Sequence, residues 1–135
     1  MPAPVELLKR VSLFRDLPEK QLQKLSSEFA ERRFTEGQEL TIEGSGGVGL
    51  FVIETGTATV TVDGETRRTL GPGDYFGEVA LIDGGTRTAT ITATSDGVAY
   101  GLTKWMFKPL VDMNAEIAWP LLEAMARRTR ETEKR

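Results

Sequence analysis

Glu78 and Arg87 are the two residues whose types and spacing point to chemistry. Both lie in FGEVALIDGGTRTATI (76–91). Glu78 follows Gly77 and precedes the apolar run VALI (79–82). Arg87 follows the Gly84–Gly85 turn and leads into Thr88, Ala89 and Thr90. An arginine fork holds two oxygens of one phosphate, which a lysine does not. Backbone N–H groups at the start of a short helix, or in a glycine-rich nest, add further donors. Gly77 lets the backbone come close to a ligand. Val79 opens a run able to make one helical turn whose first amides, near Ala80 and Leu81, point at the anion. Glu78 is an acceptor, so it suits a sugar hydroxyl and not the phosphate. One carboxylate for a ribose and one arginine for one phosphate describe a nucleotide with a single negative charge. The glycine–lysine phosphate loop of NTPases is absent.

Composition removes most other chemistries. The 135 residues contain no His and no Cys. That takes away imidazole and thiolate as catalytic bases, nucleophiles and metal ligands. No paired carboxylates surround a site either, so no catalytic residue, metal or cofactor is expected and the chain reads as a non-enzyme. A net charge of −3 gives no general polyanion-binding surface. The start, MPAPVELLKRVSLF, has no signal-peptide core, and no apolar run is long enough to span a bilayer. A soluble, cytoplasmic single domain with no membrane partner is expected.

These residues need elements to position them. Residues 1–30 read as helical, with Val5, Leu8 and Val11 and then Leu22, Leu25 and Phe29 at helical steps. Pro18 suits the first turn of a second helix. Residues 31–102 are rich in glycine and β-branched residues. LFVI (50–53) reads as a buried strand. TATVTV (57–62) alternates, with Ala58, Val60 and Val62 on one face, and runs into the hairpin signal Asp63-Gly64. TATITAT (88–94) alternates again, and Asp96-Gly97 marks a turn. Short strands between regular turns suggest a sandwich or rolled barrel. From 103 to 135 the helical pattern returns. Thr103 is a candidate N-cap, Pro109 predicts a kink or break, and Leu121, Leu122 and Met125 predict a narrow apolar stripe. Trp105, Trp119 and Phe107 are read as packing residues.

The stretch 76–91 resembles the phosphate-binding cassette of the cyclic nucleotide-binding domain family, F-G-E-x-A-L-aliphatic, four residues, then R-[A/S/T]-A-[S/T]. Phe76, Gly77, Glu78, Ala80, Leu81, Ile82, Arg87, Thr88, Ala89 and Thr90 match it in identity and spacing. EGQEL (36–40), FVIETG (51–56), LGPGDYFGE (70–78) and the closing helices extend the resemblance over nearly the whole chain. Two departures are Thr86, where proline is usual, and EGSGGVG (43–49), which lacks an acidic residue near Gly46 or Gly47. The resemblance implies an α+β fold: a jelly-roll-like β-roll, or double-stranded β-helix, flanked by N-terminal and C-terminal helices. It implies a ligand site of Gly77, Glu78, Val79, Ala80, Leu81, Arg87, Thr88 and Ala89. Glu78 takes the ribose 2′-hydroxyl, and Arg87 takes the cyclic phosphate. Met125 and Arg128, one turn apart, are placed to cover the base from a C-terminal helical lid.

The expected function is therefore a ligand-switched regulatory module for cAMP or cGMP, with cAMP favoured. The expected partners are the nucleotide, an unidentified protein effector and a second copy bound through the C-terminal helix. The alternatives are a nucleotide-independent scaffold of the same fold and a regulatory domain cut from a larger protein. A transcription factor of the catabolite activator type would need a helix-turn-helix beyond the last helix, so DNA is not an expected partner of 1–135.

Overall fold

The computed structural model describes residues 3–41, 49–77, 81–82 and 89–133. Two short helices open the chain, α1 (Val5–Leu8) and α2 (Glu19–Ser26). Leu8 of α1, Leu22 and Leu25 of α2, and Val11 and Phe14 of the segment between them are fully buried, which gives the N-terminal region its inward face. Pro18 stands just outside α2 as its N-cap, in extended conformation, one step before the expected first turn.

Among the described residues eight strands follow: β1 (Ala30–Phe34), β2 (Glu39–Thr41), β3 (Gly49–Thr55), β4 (Ala58–Val62), β5 (Glu65–Leu70), β6 (Tyr75–Phe76), β7 (Thr90–Ala93) and β8 (Gly97–Thr103). They form two antiparallel four-stranded sheets, β1-β8-β3-β6 and β2-β7-β4-β5. Apart from the β4–β5 hairpin, each strand is followed by one in the other sheet. The chain therefore winds as a roll, as expected. The hairpin turns at Asp63 and Gly64, with φ of 52° and 79°. Two consecutive left-handed residues match the twist of the strands they join.

In the first sheet, β3 is covered on both faces. Leu50, Val52, Tyr100 and Leu102 join the main core with the helices, while Ile53 and Phe51 face the roll interior with Val60, Leu70, Phe76 and Ile91. That is why LFVI is a continuous apolar run. β4 alternates because only one of its faces is covered, with Ala58 and Val60 buried and Thr59 partly exposed. Gly97 begins β8, where a turn was expected. A side chain there would press on the Phe34 ring and the Thr55 carbonyl, so this glycine serves packing.

Two helices close the described chain, α3 (Lys104–Met113) and α4 (Ala115–Glu133). The Thr103 hydroxyl caps α3 by accepting the Met106 N–H at 3.3 Å. The expected break at Pro109 does not occur. α3 runs through it, and the chain bends at Asn114, with φ of −134° and ψ of 77°. Pro109 has no N–H for the Trp105 carbonyl one turn back, and Trp105 lies on the exposed side of the helix start. Phe107 is the buried residue of α3, with its ring 6.1 Å from that of Phe14. Burying a side chain of this size contributes about 1.5–3 kcal/mol.

Three C-terminal expectations are corrected here. The inward face of α4 is Ile117, Leu121 and Ala124, with Met125 packed against it, whereas Leu122 points outward at 59 % exposure. Trp105 and Trp119 are exposed, 79 % and 67 % respectively, and are not part of the core. Residues 117, 121 and 124 form one helical stripe, and 122 lies about 100° away from 121.

Candidate functional site

β6 is two residues long and stops at Gly77, where the backbone turns left-handed with φ of 91°. A side chain would be strained in this conformation. The Gly77 carbonyl accepts the Leu81 N–H at 3.0 Å, and Leu81 and Ile82 are helical. Leu81 is fully buried in the main core, and Ile82 is 40 % exposed. The Leu81 N–H, expected among the phosphate donors, is engaged within its own turn. The residue anchors the segment through its side chain. Glu78, Val79, Ala80, Arg87 and Thr88 lie outside the described residues. Ala89, just after them, packs against the roll interior, and its carbonyl accepts the Thr41 hydroxyl at 3.1 Å.

The turn before β6 is held firmly. Gly73 N–H donates to the Ile53 carbonyl at 2.8 Å, and Ile53 N–H donates to the Asp74 carbonyl at 2.9 Å. The Asp74 carboxylate accepts the Gly71 N–H at 2.8 Å. The Tyr75 hydroxyl reaches the N-terminal segment, donating to the Ser12 hydroxyl at 3.1 Å. Asp74 and Tyr75 join Arg68 of β5 and Arg128 of α4 around a cavity of about 240 Å³. Arg128, one of the two candidate lid residues, thus lines a cavity with residues of β5 and of the turn into β6. Met125 packs instead toward the main core.

Arg68, Asp74 and Tyr75 were not among the expected site residues. The signal for Arg68 is one of register. It pairs with the buried Val60 and stands two positions before the buried Leu70, so it shares their face of the sheet, at an exposed position. The signal for Asp74 and Tyr75 is their place immediately before Phe76-Gly77.

α4 also touches the N-terminal helices through polar contacts. Arg127 donates to Asp16 at 2.9 Å, Gln21 donates to Glu116 at 2.7 Å, and Lys24 donates to Asn114 at 2.9 Å. The Glu116 carboxyl is held below its usual range by its own backbone N–H first and by the Gln21 amide second. These exposed contacts add little individually. Among the described residues no Asp, Glu, His or Cys cluster could hold a metal, and no helix is long and apolar enough to cross a membrane.

Among the described residues the architecture is two antiparallel four-stranded sheets wound as a roll, with helices before and after them. The family model for the cyclic nucleotide-binding domain matches residues 31–114, and the chain belongs to that family. A cyclic nucleotide-binding domain is a regulatory, non-catalytic module, and this one is related to those of kinases. The chain is 41 % identical over 93 residues to a cGMP-dependent protein kinase of Eimeria tenella, covering 68 % of this chain and 9 % of that kinase. It therefore spans about a tenth of that relative's length. Among solved structures, it is similar to the N-terminal domain of a transcriptional regulator from Streptomyces coelicolor A3(2), at a TM-score of 0.85 and 32 % identity, covering 95 % of each chain. It is also similar to the regulatory domain of Toxoplasma gondii PKA, solved with cAMP, at a TM-score of 0.71 and 31 % identity, covering 78 % of this chain and 42 % of that one.

Proposed function

We propose that this chain binds a cyclic purine mononucleotide at the mouth of the roll and passes its occupancy on through α3 and α4. The observation that carries the reading is the joint at Gly77. A strand anchored to β3 turns there into a helical segment whose Leu81 is locked in the core. Gly77 and Leu81 are the described residues on either side of Glu78 and Ala80 in the sequence. In this reading Glu78 accepts the ribose 2′-hydroxyl, and Arg87 holds the cyclic phosphate with the Ala80 N–H. Val79, Leu81 and Ala89 form the wall, and Thr88 offers its hydroxyl to the base. No cofactor or metal is needed, because a single phosphate charge is matched by one guanidinium. The test is a calorimetric titration with cAMP and cGMP. Saturable binding of at least one is expected. Neither heat nor a raised melting temperature with either nucleotide would remove the reading.

The output is a shift of population. Ligand can favour the state in which α4 covers the mouth only by its differential affinity for the two states. α4 is held by one stripe, Ile117, Leu121 and Ala124, and by exposed polar contacts, which leaves its hold on the roll open to such a bias. Amide exchange from residues 119 to 128 is expected to slow on saturation with nucleotide. Protection confined to the β-strands would show that α4 is not a lid.

The kinase and the transcriptional regulator contain similar modules beside different outputs, so the effector is a further domain or partner that reads α3 and α4. The exposed Trp119 and Leu122 on the outer face of α4 give a second copy an apolar surface. Light scattering across a concentration series is expected to show a dimer. A monomer at all concentrations would exclude it.

A further inference from the structure

We infer that the outer edge of β5 is a self-recognition surface, where a second copy of this chain pairs antiparallel to β5 about a two-fold axis at Thr66. Among the described residues β5 is the outermost strand of its sheet, next to β4. Glu65, Thr66, Arg67, Arg68 and Thr69 are all exposed. An edge strand carries a row of N–H and C=O groups open to pairing with another strand. Native edges are kept short, or are blunted by proline, lysine, bulges or inward-pointing charges. β5 has six residues and contains neither proline nor lysine. Its bulge and its charges therefore decide which strand it accepts.

Val62 pairs with Glu65, Thr61 with Thr66 and Val60 with Arg68, which leaves Arg67 as the extra residue of a bulge. Glu65, Thr66 and Arg68 thus occupy three consecutive rungs of the ladder. Directly paired residues project to the same face of a sheet. Glu65 and Arg68 therefore share the face of Val62 and Val60, and Thr66 lies between them on the opposite face. Without the bulge, residues three apart would project to opposite faces. A two-fold antiparallel pair keeps each face on its own side and reverses the order of the rungs. With Thr66 on the axis, Glu65 stands opposite Arg68 of the second copy, and Arg68 opposite its Glu65. The contact is isologous and closes on two chains. A strand of another sequence would leave Glu65 and Arg68 unmatched, so the charges that repel other strands admit this one. The contact of Arg67 with Glu65, at 3.6 Å between exposed groups, competes only weakly.

The chain has no cysteine, so a single introduced one reports proximity without background. Thr66→Cys is expected to give a disulfide-linked dimer under mild oxidation. Directly paired residues of an antiparallel ladder lie about 4.5–5.5 Å apart at Cα, within the span of a disulfide. Thr69→Cys is the control. Thr69 is exposed on the same face of β5, two rungs from Thr66, so it would stand four rungs from its own copy and is expected to cross-link only at the collisional rate. In the Thr66→Cys chain, adding Glu65→Arg or Arg68→Glu sets two like-charge pairs across the axis and is expected to cut cross-linking about tenfold. Glu65→Arg and Arg68→Glu together restore opposite charges and are expected to recover it. Sedimentation of the same charge variants without the cysteine reads the association directly, and melting curves show that they fold. Equal cross-linking of Thr66→Cys and Thr69→Cys, no cross-link at either, or a double exchange no better than the single ones would overturn the inference. A dimer through α4 alone is such an outcome, since it gives Thr66 no advantage over Thr69.

Discussion

Arg87→Ala is expected to weaken binding of both cAMP and cGMP by about 30- to 1000-fold. The cyclic phosphate has one negative charge, and in the proposed site Arg87 is the side chain that meets it. Loss of a charge-assisted pair to a desolvated phosphate costs about 2–4 kcal/mol, and each factor of ten in affinity corresponds to about 1.4 kcal/mol. Arg87→Lys is expected to recover only part, because an ammonium cannot hold two oxygens in the fork geometry. Glu78→Ala is expected to cost less, since its partner is a neutral hydroxyl. Its signature is a lost distinction between ribose and 2′-deoxyribose ligands. Both substitutions are to be checked by calorimetry beside a melting curve that shows the variant folded. A folded Arg87→Ala protein that binds as tightly as wild type would remove the cassette as the phosphate site.

The elements legible in the sequence are those whose pattern reports their own surroundings. β4 alternates because one face is covered, and LFVI in β3 is a continuous apolar run because both faces are covered there. Asp63 and Gly64 mark the hairpin because the turn demands left-handed backbone at both positions. β1 reads AERRF, with one buried residue in five, and is a strand because β8 pairs with it along its length. β8 was hidden by its glycines. A Cβ at Gly101 would lie 2.9 Å from the Phe51 ring, so a residue that resembles a turn signal is in fact a packing requirement. The site divides in the same way. Its cassette is contiguous and could be read directly. Arg68 comes from strand pairing and a bulge, and Arg128 from a helix more than 50 residues further on, so neither role is written locally.

Leu81→Ala is expected to destabilise the fold by about 2–5 kcal/mol, the range for truncating a fully buried leucine. Leu81 is 0 % exposed and belongs to the cluster that includes Leu50, Val52 and Phe107. The cavity left behind would lie where the cassette meets β3 and α3, so it loosens a joint that three elements share. For a chain of this size each kcal/mol lowers Tm by roughly 3–5 °C, and a drop of about 6–25 °C is expected. Ile82→Ala is the control: Ile82 is 40 % exposed, and the change is expected to cost under about 1 kcal/mol. Since the Leu81 N–H also closes the turn on Gly77, the variant is expected to bind nucleotide more weakly even at temperatures where it is folded. Saturating ligand that binds only the folded form should then restore part of the lost Tm by mass action. If Leu81→Ala melted with wild type, Leu81 would not be the cassette's anchor in the core. The anchor of this segment in the core would then have to be another residue.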